Sequence, residues 1–438
     1  MTILLHKKYS LINKVEEIIM AQNQYIESIS ILHPVCCGLD VHKNKISACL
    51  IFQQDDAPCM EIREFSAFTD DLFALRDWLL LHQCPIVAME STGIYWRPVH
   101  NILENSVQVI LVNARHYKNV PGRKTDIGDS QWLAELLRHG LLTGSFIPPA
   151  EVRRWRDLVT MRNHYVATES DFRRRIQKLF ETANIKIDSV VSDLFGVSGR
   201  NLMELLLSVS TDEITIDDVQ QCLRGRLNKK GPELHRAIQG FFTDHHRFIL
   251  GHYLHVIDTC RHIIGAIDTR IEDLMKPYND ILTRLQEIPG IGPTAAAAIL
   301  ARTGTTLDEF QNSAALCSWA GVCPGNNESA GKRHSGRSPV RKHPLKTLLV
   351  EVAWSAVKVK GSYYRDKFHR LKARRGAKRA IVAIAHRILK AAFAIIKHGE
   401  RYQELGEEYL AKRNEKLQLF RLRKLAERHG FDLVAKAA

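Results

Sequence analysis

The sequence has no Cys-x-x-Cys pair, no uninterrupted apolar run long enough to cross a bilayer, no internal repeat and no low-complexity tract. Each absence removes a class of protein. Nine cysteines, an odd number that includes the adjacent Cys36-Cys37, suit neither a disulfide framework nor a zinc module. They are expected to be core thiols in a reducing cytosol. The stretch 380–397 is apolar but is broken by His386, Arg387 and Lys390, so it predicts an amphipathic helix and not a span. Met1 to Lys8 lead into Tyr9 to Lys14 without an apolar h-region or a small-residue cleavage site, so no secretory leader and no membrane association are expected. Acidic residues are scarce relative to basic ones: 48 Asp and Glu face 62 Lys and Arg, a net charge of +14. With membranes set aside, that excess points to nucleic acid.

What is present divides the 438 residues into several parts. Residues 1–32 read as an N-terminal helical segment. Residues 33–148 read as an α/β domain. Its expected strands are Cys36 to Val41, Lys45 to Ile51, Glu61 to Phe65, Pro85 to Glu90 and Val107 to Val112. Its expected helices are Asp70 to His82, Val99 to Ser106 and Asp126 to His139. Residues 149–283 are helical in character. There Arg153 to Glu181 and Phe248 to Met275 predict an antiparallel coiled coil, a candidate dimerisation element, around a less regular helical insert, 185–242. Residues 284–400 form a third, helical segment and 401–438 a charged helical tail. The fold class is therefore α/β plus all-α.

Four acids stand out by position. Asp40 interrupts an otherwise apolar strand, Glu90 ends a buried one, and Asp126 and Asp129 stand three apart at a helix start, on one face. Asp126 alone would read as a helix cap. Together the four can converge at one end of a sheet, where hard oxygen donors hold divalent cations. Two such ions stabilise the attacking and leaving oxygens of a phosphodiester displacement. Lys43 beside the first acid, and Arg123 and Lys124 before the last pair, suit an anionic substrate. So do the hydroxyl, glycine and aromatic residues from Ser91 to Trp96.

Two further segments carry signals. Leu285 to Ala295, with Pro289-Gly290-Ile291-Gly292 at its centre, has a helix-hairpin-helix pattern. In such a pattern Gly290 and Gly292 bring backbone close to a phosphate at the start of the second helix. Trp319 to Arg337 reads as a Gly/Asn/Ser loop. Ser329 in it precedes the small Ala330 and Gly331 and is followed by Lys332 and Arg333, with Ser335 as a rival hydroxyl. Arg337, Arg341 and Lys342 begin a basic stretch. Residues 331–380 hold sixteen Lys and Arg against Glu351 and Asp366. If about six of those contacted phosphates, affinity would fall roughly 10³-fold between 50 and 200 mM salt.

These motifs together resemble the insertion-sequence transposases of the IS110 family, and within it the IS1111 subgroup. The residues that carry the resemblance run from Gly38 to Lys43, Met89 to Gly93, Lys124 to Asp129, Ile288 to Gly292 and Cys323 to Lys332. The resemblance implies an RNase H/RuvC-like mixed-sheet domain whose DEDD tetrad maps onto Asp40, Glu90, Asp126 and Asp129, with Mg2+ as cofactor in a two-metal site. It implies a C-terminal transposase domain whose nucleophilic serine maps onto Ser329, and a coiled coil between the two. It also implies donor and target DNA as partners, a structured noncoding guide RNA from the element's end, and a homo-oligomer, dimeric or tetrameric, with composite active sites. A place at the bacterial nucleoid follows. Gly128 departs from the family's usual polar residue before the last Asp and weakens that helix start. Two other functions compete: a RuvC-like structure-specific nuclease using water, and a non-enzymatic nucleic-acid-binding protein.

Overall fold

The structure, a computed structural model, describes residues 30–54, 57–91, 93–113, 128–325, 327–329, 332–335 and 343–432. The chain divides into two compact units between Ile147 and Pro148. Most of the expected N-terminal helix, residues 1–29, lies outside the described residues.

The first unit is built on strands β1 (Cys36–Val41), β2 (Lys45–Gln54), β3 (Ala57–Ser66), β4 (Ile86–Glu90) and β5 (Gln108–Val112). Helices α1 (Thr69–Leu81), α2 (Trp96–Leu103) and α3 (Asp129–Arg138) accompany them. The five strands form one mixed sheet in the order β3-β2-β1-β4-β5. The β1–β2 and β2–β3 pairs are antiparallel, and the β1–β4 and β4–β5 pairs are parallel, which is an RNase H-like order.

The sheet is covered on both faces, and residue parity assigns each side chain to one of them. Cys37, Leu39, Val41, Val87 and Met89 pack with Leu72, Leu75 and Leu79 of α1 and Val99 and Leu103 of α2. Cys36, Cys49, Ile51, Ile86 and Ala88 pack with Leu133, Ala134 and Leu137 of α3. Two elements depart from the sequence expectation. β3 is ten residues long, not five, because β2 pairs with it from Lys45↔Ser66 to Gln54↔Ala57. It is an edge strand with exposed polar residues, so hydrophobic alternation barely marks it. α2 begins at Trp96, three residues before the expected Val99. Pro98 stands in its first turn, where a missing N–H costs nothing.

The second unit is helical. α4 (Ala150–Thr182) and α9 (Asp244–Met275) lie along each other. Arg162 binds Asp268 through two bonds of 2.5 and 3.0 Å, and Arg261 donates to Glu169 at 2.9 Å. Partners on α9 descend as α4 ascends, so the pair is antiparallel. Between them the insert folds as α5 (Ile187–Val190), α6 (Val197–Ser208), α7 (Ile216–Cys222) and α8 (Gly231–Ile238). Its Leu202, Leu206, Val219 and Leu234 share one core with Ile176 and Phe180 of α4 and Leu250 and Leu254 of α9. Next come α10 (Asn279–Gln286), α11 (Pro293–Thr303) and α12 (Ser313–Trp319), then a short hairpin of β6 (Asn327–Ser329) and β7 (Lys332–Ser335). Helices α13 (Pro344–Ala356), α14 (Tyr363–Arg375), α15 (Ala377–His398) and α16 (Tyr409–Arg428) follow. Among the described residues no helix is long and apolar enough to cross a membrane.

Candidate catalytic site and nucleic-acid segments

Register and parity fix the relation between the first two acids. β1 and β4 run parallel with Leu39 beside Met89, so Asp40 and Glu90 are the next residue on each strand. Asp40 has the parity of Cys36 and Gly38, and Glu90 that of Ile86 and Ala88, so both lie on the face covered by α3. Glu90 is buried, with 9% of its surface exposed. Asp40 remains accessible, and His42 Nε2 lies 3.1 Å from its Oδ2.

Asp129 is the first residue of α3, where an acid suits the field of the helix N-terminus. The helix comes this close to β1 because of Gly38. A Cβ there would sit 2.2 Å from the Ser130 carbonyl oxygen and 2.5 Å from the Ala134 nitrogen, so only glycine admits the crossing. The contact is closed on the other side by Ser47, which pairs with Asp40 across β1–β2 and whose Oγ lies 3.2 Å from Ser130 Oγ. The expected weak helix start at Gly128 is offset in part: the Gln131 side chain returns to accept from the Gly128 N–H at 3.1 Å. Neither Ser47 nor Ser130 stands out by residue type. The parity of Ser47 with Cys49 and Ile51 is the signal that could have found it.

Asp126, Arg123 and Lys124 lie outside the described residues. Among the described residues no three His, Cys, Asp or Glu side chains close on one point as a bound metal ion requires. The donor chemistry nonetheless suits a hard divalent cation, because Asp40, Glu90 and Asp129 offer carboxylate oxygens with no thiolate or imidazole-rich set between them. Lys43 is exposed in the tight turn joining β1 to β2, which the His42 N–H closes by donating to the Lys45 carbonyl at 2.9 Å. After β4, Ile94 and Tyr95 are exposed, whereas Trp96 packs against the core.

In the second unit the glycine pattern forms a helix–turn–helix of α10 and α11, and its two glycines do different things. Gly290 has a φ of +87°, and a Cβ on it would stand 2.5 Å from the Ala356 nitrogen and 2.7 Å from the Val352 carbonyl oxygen. Its close approach is to the backbone of α13. Gly292 has nothing within 4 Å of such a Cβ and leads into Pro293 at the start of α11, so that helix end is open.

The serine segment reads as a loop by composition, and the structure corrects that. Asn327–Ser329 and Lys332–Ser335 pair as antiparallel strands, with Ser329 opposite Lys332 and Asn327 opposite Ser335. The strands are short and wholly polar, so no apolar alternation marks them, and main-chain pairing holds them. The two candidate serines therefore stand at opposite ends of the hairpin, Ser329 at its tip and Ser335 at its base. Arg333 lies opposite Glu328. Arg337, Arg341 and Lys342 lie outside the described residues.

Comparison with known proteins adds two family matches and a relative. A DEDD transposase model for IS110 elements, described as Transposase, matches residues 37–185. The model described as Transposase IS116/IS110/IS902 family matches residues 282–369. The Putative transposase y4pF/y4sB of Sinorhizobium fredii is 27% identical over 151 residues, which cover 33% of this chain and 39% of that relative.

Proposed function

The chain belongs to the IS110 family of transposases, and on that footing we propose that it cuts and rejoins DNA strands through a carboxylate tetrad and a serine nucleophile. The observation that carries the reading is the parallel register Leu39–Met89, which sets Asp40 and Glu90 side by side on the face that α3 covers. Asp40, Glu90, Asp126 and Asp129 would hold Mg2+, and the bound ions would stabilise charge on the attacking and leaving oxygens. The Ser329 hydroxyl oxygen bonds to phosphorus as the strand's P–O bond breaks. The resulting serine phosphoester conserves the bond for rejoining, when a DNA hydroxyl displaces the serine. Lys332, opposite Ser329 in the hairpin, and Arg333 supply cations for the charge that builds on the phosphoryl oxygens.

Lys43, Arg123, Lys124, Arg337, Arg341 and Lys342 engage backbone phosphates, and the Gly290–Gly292 turn offers backbone to another. Target choice comes from a structured RNA encoded at the element's noncoding end. The protein works as a homodimer, or a tetramer when both DNAs are held, with tetrad and serine supplied by different copies and the α4–α9 pair joining them as a coiled coil. The test is a strand-transfer reaction with donor DNA, target DNA and the element's terminal RNA, read on a denaturing gel. A protein–DNA adduct is expected. It should vanish in Ser329→Ala and in Asp40→Asn without loss of DNA binding. Mg2+-dependent nicking with no adduct would replace the serine by water.

A further inference from the structure

Three helices of the second unit bring cations together. α14 packs against both α15 and α16. Lys367 of α14 is half-buried, and its ammonium lies 5.8 Å from the centre of the Tyr363 ring, which in turn meets Tyr409 of α16 edge to face at 5.9 Å. Burial first, and then the guanidinium groups of Arg387, Arg413 and Arg374, pull the Lys367 ammonium below its ordinary value. Arg374 comes from the end of α14, Arg387 from α15 and Arg413 from α16, and all three are exposed. The nearby carboxylate, Asp366, accepts two bonds from Arg370 Nε at 2.8 and 3.0 Å. Like charges gathered round a half-desolvated ammonium destabilise the free protein. A polyanion removes that cost.

We propose that Lys367, Arg374, Arg387 and Arg413 form a phosphate clamp for the backbone of duplex DNA. The aromatic residues of the cluster argue for backbone contact. Tyr363 is buried and holds Lys367 instead of offering a face on which a base can stack. The clamp therefore positions DNA without reading its sequence. The proposal rests on the DNA-transposase reading above.

The test is binding of the full chain to an arbitrary 30-base-pair duplex across a salt series, for the wild type, Arg387→Gln/Arg413→Gln and Arg374→Gln. The double variant is expected to lose roughly two phosphate contacts. The slope of log K against log salt then falls by about 1.8 and affinity drops at least ~10-fold. Its melting temperature should hold or rise, because repulsion is relieved. Arg226→Gln/Lys229→Gln, on the insert, should keep the wild-type slope. An unchanged slope in the Arg387/Arg413 variant overturns the clamp. So does a loss of affinity confined to a structured RNA competitor, and so does a melting temperature that falls in step with binding in both cluster variants. A wild-type protein with no affinity for the duplex would instead sink the DNA reading itself.

Discussion

Gly38→Ala is expected to destabilise the first unit by about 1–3 kcal/mol, because the added methyl meets the backbone of α3 and not a yielding side chain. Urea unfolding measures the loss. Strand cutting should fall by more than the loss of folded protein explains, since Asp129 moves with the helix. Burial also acts on the thiols of this unit. It pushes Cys36 and Cys49 up to about 12 and Cys84 to about 11, from an ordinary value of 9.0. A raised value means that the neutral thiol is favoured by folding. That contribution is complete below about pH 9 and is lost as pH climbs toward 12. The urea midpoint should therefore decline above pH 9, and alkylation at pH 8 should label Cys59 or Cys323 well before Cys36, Cys37, Cys49 or Cys84. At this scale chemistry shows in residue type. An acid amid the apolar residues from Cys36 to Val41 is visible without a structure. The serine pair at the β1–α3 contact, Ser47 and Ser130, is not, because a serine signals nothing until strand parity and helix docking bring two of them together.

Phe180→Ala should cost about 3–5 kcal/mol, because its ring is buried where the end of α4 meets the insert and packs edge to face with Phe242 at 6.1 Å. Thermal melting of the full chain reads the loss. A small effect would mean that the insert folds apart from the helix pair. Thr215→Ala, which removes the hydroxyl that accepts from the Asp218 N–H at the start of α7, should cost about 1 kcal/mol by the same measure. The long helices α4 and α9 were legible because apolar residues recur at helical steps over more than thirty residues. The edge strand β3 was legible only in part, since it has few buried positions for a pattern to mark. The serine hairpin was hidden for a different reason. Its strands are three and four residues long, wholly polar and held by main-chain pairing, so they carry no apolar alternation to read. In the helix–turn–helix the sequence announced close backbone approach at both glycines, but could not say that Gly290 approaches α13.

For the molecule as a whole, removing Mg2+ with a chelator is expected to abolish strand cutting while leaving the melting temperature within about a degree. The first unit is held by an apolar cluster on each face of its sheet, and that apolar burial does not depend on the ion. A large drop in melting temperature on chelation would show that the metal is structural. The register of β1 on β4 has a further consequence. A slip of one residue would turn every side chain of β1 to the opposite face. Asp40 would then point into the oily layer under α1 and α2, and Leu39 would be driven against the backbone of α3. The cost of such an error is far greater than that of a misplaced surface strand. Placement of the two proposed metal-binding carboxylates is thereby proofread by the hydrophobic core, and a population that has folded at all is one in which the two acids already face the same way.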